Sequence, residues 1–79
     1  MKRFCELVEE ELVSAKEMHP GDFNSPHEAY GVIQEEMHEF QVEVFLKPVQ
    51  RNRVRMLKEL VQIAAMAQRA SEDLGLLED

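Results

Sequence analysis

Residues 25 to 47 read SPHEAYGVIQEEMHEFQVEVFLK, and how this stretch is read decides the fold. Ser25 before Pro26, with Glu28 three residues after the serine, is a helix start: an N-cap hydroxyl, a proline at the first helical position and a capping-box glutamate. Pro48 disfavours helical geometry at Lys47, so the helix is expected over 25 to 47. Its apolar stripe is Tyr30, Ile33, Met37, Phe40 and Val44, a three-four alternation suited to near-antiparallel packing in a bundle. Successive helical residues turn by about 100°, which puts Glu35, Glu39 and Glu36 in one arc roughly 100° wide. Glu35, Glu39 and Glu43 also repeat at every fourth residue, and no basic residue relieves them before Lys47. Like charges so spaced destabilise a helix by about 0.2–0.5 kcal/mol per pair, so the ladder needs open water or a cation. Val32 and Leu46 share the arc, an odd choice for a face meant only for water. That face is therefore expected to be covered.

A matching pair lies downstream. Glu59 and Gln62 are three apart in a segment whose other residues from Leu60 to Ala67 are all apolar, and buried polar groups need partners. Two helices packed antiparallel would set Glu36 and Glu39 against Glu59 and Gln62, an oxygen-lined site of the kind Mg²⁺ accepts. The helix carrying the second pair is expected over 52 to 74, with Asn52 as its cap. Gly75 reads as the C′ residue of a Schellman stop, with Leu76 packing back on the last turn and a frayed tail to Asp79. Met56, Leu57, Leu60, Val61, Ile63 and the alanines between 64 and 70 make the third helix apolar nearly all round, hence buried on more than one side. Two short helices cannot cover such a cylinder, so a second protomer is expected to.

The first helix is expected over 2 to 18, where Phe4, Leu7, Val8, Leu12, Ala15 and Met18 recur at helical spacing. Residues 19 to 24 form a turn cluster, and Phe23 reads as a hydrophobic staple beside the next helix's first turn. Between 47 and 58 every charge is positive: Lys47, Arg51, Arg53, Arg55 and Lys58. Cations are unfavourable near a helix N-terminus, so an anion is expected nearby, a phosphate held by Lys47, Arg51, Arg55 and Lys58 or the glutamates at 9 to 11; the alternative is plain solvation.

The 79 residues bound one domain, 1–79, with 16 acidic against 9 basic side chains and a net charge of −7. That balance repels a phosphate backbone and argues against nucleic-acid polymers and anionic membranes as partners. Cys5 is alone, there is no apolar run of membrane length, and glutamates interrupt any signal-peptide core, so a soluble cytoplasmic protein is expected. Gly21, Gly31 and Gly75 are too scattered for a phosphate loop, and His38 lacks the second histidine of a zinc-protease helix.

The residues at 35 to 39 (EEMHE) and 59 to 62 (ELVQ) resemble the EExxE and ExxD signature of the MazG-like all-α nucleoside triphosphate pyrophosphatases. The flanks SPHEAYGVI and IAAMAQRA resemble the small phage and bacterial members, and the resemblance covers about residues 23 to 74. The second motif departs from the signature in ending in Gln62 where the family has Asp. The resemblance implies an all-α protomer of three helices in an oligomeric antiparallel bundle. It also implies Mg²⁺, or Mn²⁺ in its place, held by Glu36, Glu39, Glu59 and Gln62, with Glu35 as the catalytic residue that orients water or holds a second ion. The implied reaction splits a nucleoside triphosphate into monophosphate and pyrophosphate. Gln62 brings a carbonyl oxygen without charge, so a weakened site is expected; the alternative is a noncatalytic helical oligomer that binds nucleotide or a protein partner. A homodimer or homotetramer joined through the second and third helices should be visible by sedimentation equilibrium, and a stably folded monomer at micromolar concentration would contradict it.

Overall fold

A computed structural model describes residues 1–77 of the chain. Three helices carry it: α1 (Phe4–Met18), α2 (Pro26–Val44) and α3 (Arg53–Asp73), with one 3₁₀ turn at Pro48–Gln50 between the last two. No strand occurs among the described residues. The expected all-α architecture is thus observed, with each helix beginning one or two residues later than the spacing indicates. The largest difference is at the end of α2. Its last turn is closed at Phe45, whose N–H donates to Gln41 O, and Arg51 Nε donates to Val44 O at 3.2 Å.

The caps follow the sequence closely. Ser25 Oγ accepts from Glu28 N at 3.1 Å, and Asn52 Oδ1 accepts from Arg55 N at 3.0 Å. The capping box is shifted by one residue, because the Glu28 carboxylate accepts from Asn24 N rather than from Ser25 N. At the C-terminus of α3, Gly75 has φ 68°. Leu76 N donates to Ser71 O and Gly75 N to Glu72 O, the two bonds of a Schellman motif. Leu76 itself does not pack back on the helix; it is exposed. Of the tail expected to fray, Glu78 and Asp79 lie outside the described residues.

Helix α3 is the shared element, packed against both α1 and α2, while α1 and α2 have no Cα–Cα approach within 8 Å of each other. Its direction is opposite to that of α2: Glu43 lies against Arg55 near the start of α3, and Phe23, just before α2, against Asp73 at its end. Helix α1 runs with α3, as Lys16 pairs with Glu72 at 3.3 Å. The core is the seam that α3 makes with its neighbours: Val8 and Leu12 from α1, Val61, Ala65 and Met66 from α3, with Val32, Ile33 and Phe23 packed against them. Two residues of the apolar stripe proposed for α2 are not core. Tyr30 and Met37 are exposed, because α2 turns Ala29, Val32, Glu36 and Glu43 toward α3 instead. Leu57 and Leu60 of α3 also remain exposed at 44% and 41%, so the two neighbouring helices leave part of the third helix uncovered.

The connection between α1 and α2 is tied down by Arg69. This guanidinium is 5% exposed; its Nη2 donates to the carbonyls of His19 and Gly21 at 2.5 and 2.6 Å, and its Nε lies 3.4 Å from Asp73 Oδ2. Asp73 in turn accepts from Phe23 N at 3.0 Å, and the guanidinium carbon stands 5.4 Å from the Phe23 ring centroid, within cation–π range. Phe23, expected as a staple beside the first turn of α2, is thus pinned onto α3 and the core. Removing one partner of such a buried pair leaves the other charge and two carbonyls unsatisfied. Arg69→Met should cost about 3 kcal/mol of stability by urea unfolding, whereas Lys16→Met, which breaks an exposed pair, should cost under about 1 kcal/mol.

Candidate metal centre

The antiparallel packing of α2 on α3 brings the two sequence motifs together. Glu36, Glu39 and Glu59 each offer a carboxylate oxygen, and these three oxygens lie within 4.8 Å of one another. Gln62 joins them. With its amide oriented to satisfy its neighbours, Nε2 donates to Glu36 Oε2 at 2.9 Å and to Glu59 Oε2 at 3.3 Å. Glu36, Glu59 and Gln62 are half-buried and Glu39 is exposed, so the cluster lies in the α2–α3 seam with its Glu39 side open to water.

Crowding of this kind opposes ionisation. The Glu36 carboxyl is pushed up from 4.5 to about 7, first by burial, then by the charges of Glu39 and Glu59, a hydrogen bond shared with Glu39, and the charge of Glu11 on α1. Glu59 is raised as well, by burial and by Glu39, with Lys58 opposing the rise and Glu43 adding to it. Burial and mutual repulsion thus favour a proton on Glu36, and the Gln62 amide bridges Glu36 and Glu59.

The remaining residues singled out in the sequence are not all gathered here. Glu35 is exposed; it borders the Gln34–His38 surface on one side and the cleft between α1 and α2 on the other. Among the basic residues, Arg55 Nε is 3.8 Å from Glu43 Oε1 and Lys58 acts on Glu59. Arg51 is committed to the Val44 carbonyl, and Lys47 is exposed at the start of the 3₁₀ turn. No described basic residue between 47 and 58 forms an ion pair with the glutamates at 9 to 11; Glu10 pairs with Lys2 instead.

Sequence reasoning missed Glu43 and Arg69. Glu43 reads in the sequence only as a rung of the acidic ladder, yet it is 8% exposed and its Oε1 has no hydrogen-bond partner. The signal was present: Glu43 follows Glu36 by seven residues and so points within about 20° of the same direction. Arg69 follows Val61 and Ala65 at four-residue spacing, on the face that α3 buries.

Compared with protein-family models, with curated proteins and with solved structures, the chain matches none. Among the described residues no helix is long and apolar enough to cross a membrane.

A carboxyl whose folded pKa exceeds its unfolded value binds a proton that the unfolded chain has lost, so stability present below about 4.5 is lost as pH rises toward 7. Without divalent cations the melting temperature should therefore fall between pH 5 and pH 8. In Glu36→Gln, which cannot ionise, that slope should flatten. Thermal melts of the two proteins across the range check both statements.

Proposed function

We propose that the chain is a metal-dependent nucleoside triphosphate pyrophosphohydrolase, working as a homodimer or homotetramer with Mg²⁺ or Mn²⁺ at the Glu36–Glu39–Glu59 cluster. The observation that carries this reading is the convergence of the three carboxylates and Gln62 from two helices, at the positions where the sequence resembles the MazG-like signature. The donor set suits the ion: hard oxygen ligands on two rigid helices, with one side open for waters and phosphate oxygens. The raised Glu36 also fits, since a proton occupies a cluster whose charge a cation would otherwise balance.

When bound, the ion would neutralise phosphate charge and lower the pKa of a water. Glu36, Glu39 and Glu59 would hold it, and Gln62 would have to turn its amide to present Oε1, because Nε2 now faces the carboxylates. Glu35, exposed on the next turn of the same arc, is the group free to orient the attacking water and take its proton. Arg55 and Lys58, flanking Glu43 and Glu59, are nearer to a bound triphosphate than Lys47 and Arg51 are.

One observation favours the second reading, a noncatalytic helical oligomer. The Gln62 amide already bridges Glu36 and Glu59 and so satisfies them without a cation. The two readings differ in one assay. Pyrophosphate release from a panel of nucleoside triphosphates should require Mg²⁺ or Mn²⁺, and Glu39→Gln should weaken cation binding in calorimetry by about tenfold, as a loss of about 1.4 kcal/mol would give. Gln62→Asp should raise both affinity and turnover, since an ionised oxygen binds a hard cation better than an amide. If no triphosphate releases pyrophosphate and Gln62→Asp is only less stable, the noncatalytic reading stands.

A further inference from the structure

Because α1 and α2 do not meet, a cavity of about 390 Å³ remains between them, floored by α3. That volume is within the range of small-molecule sites, about 300–1,000 Å³. Its walls are apolar: Ala15 and Met18 from α1, Phe23 from the connection, Val32 from α2 and Met66 from α3. One end is shared with the carboxylate cluster, since Glu36 and Gln62 belong to both, and Glu35 lines the cavity beside them. A ligand with its polar tail at the cluster would therefore have its other end in this cavity.

The polar groups of the lining are nearly all acceptors. Glu11 and Glu35 are carboxylates, which accept and do not donate when ionised. Gln62 spends its NH₂ on Glu36 and Glu59, leaving its carbonyl oxygen as an acceptor. Arg69 would be the natural donor, but Nη2 is held by the carbonyls of His19 and Gly21 and Nε faces Asp73. Apart from Arg69 Nη1, which none of these contacts occupies, only the His19 imidazole, exposed at the mouth, can donate. A ring edge bearing an amino group brings two N–H donors to these acceptors, and one whose carbonyls flank a single ring N–H brings one.

We propose that this cavity is the base site, and that it selects an amino-bearing nucleobase over one whose corresponding edge carries a carbonyl. The assignment rests on the nucleotide reading above and names the part of the substrate that the cavity takes. Apolar walls hold the planar ring, while Glu11, Glu35 and the Gln62 carbonyl read its donors.

Deoxycytidine and deoxyuridine differ at this edge and carry no phosphate, so they are the probes, titrated without divalent cation into protein labelled at its methionine methyls. Met18 and Met66 resonances should shift, Met37 and Met56 should not, and deoxycytidine should bind several-fold to about tenfold more tightly, as one net hydrogen bond allows. Ala15→Leu, shown by its melting curve to be folded, should abolish the shifts by filling the cavity. Glu11→Gln, which turns an acceptor into a group that can also donate, should narrow the preference. Absence of shifts at Met18 and Met66, equal or tighter binding of deoxyuridine, or shifts that survive Ala15→Leu would each overturn the proposal. So would Met18 and Met66 resonances that move with protein concentration alone, because the cavity would then be closed by a second copy of the chain. If pyrophosphate release is present and these shifts are absent, only the base site is lost; if the shifts are present without release, only the hydrolase reading is lost.

Discussion

The arrangement of the three helices depends on Arg69. A chain of this length buries only about 60% of the surface its unfolded form exposes, and here the buried apolar residues form a thin seam along α3. Within that seam an arginine is 5% exposed, which is tolerable only because its charge meets Asp73 and its Nη2 takes two carbonyls of the α1–α2 connection. The same carboxylate of Asp73 fixes Phe23. These bonds set where α1 ends and where α2 begins, both relative to α3. With each helix referred to α3, α1 and α2 need not touch, and the cleft between them follows.

The carboxylate cluster depends on the same packing from the other side. Antiparallel pairing of α2 with α3 can bring the acidic motifs into register only by placing like charges within 4.8 Å of each other. Such proximity is unfavourable for fully ionised groups, and the fold meets it with a proton on Glu36 and an amide from Gln62. Glu43 adds to the burden, since its buried Oε1 has no hydrogen-bond partner and only Arg55, at 3.8 Å, offsets its charge. Carboxylates gathered in this way cost stability wherever no opposite charge stands among them.

Much of this was legible in the sequence, for physical reasons that can be named. Ser25–Pro26 and Asn52 mark helix starts because cap chemistry is local, and Gly75 marks a stop because a left-handed residue is needed there. The pairing of Glu36 and Glu39 with Glu59 and Gln62 was legible because polar residues inside an apolar segment require a partner, and the partner had the same spacing. Which stripe of α2 faces α3 was not. Tyr30 and Met37 fit an apolar periodicity as well as Ala29 and Val32 do, and only packing against the second helix decides between faces about 100° apart. The part played by Arg69 was hidden for another reason: its partners are backbone carbonyls 48 and 50 residues away, which no side-chain pattern reveals.

Gln62 unites the two halves of the structure. Its side chain borders the carboxylates and the cleft at once, and an amide has one donating and one accepting end. While the NH₂ bridges Glu36 and Glu59, the carbonyl is left to accept from another donor. A cation at the cluster would need that carbonyl turned inward, and the NH₂ would then face outward. An aspartate at this position could couple the sites only through charge. On the proposed reading, the glutamine would make the polarity of the cleft depend on what occupies the cluster: a cation bound there and a ligand in the cleft would be linked through one rotatable side chain, and by thermodynamic reciprocity each would alter the other.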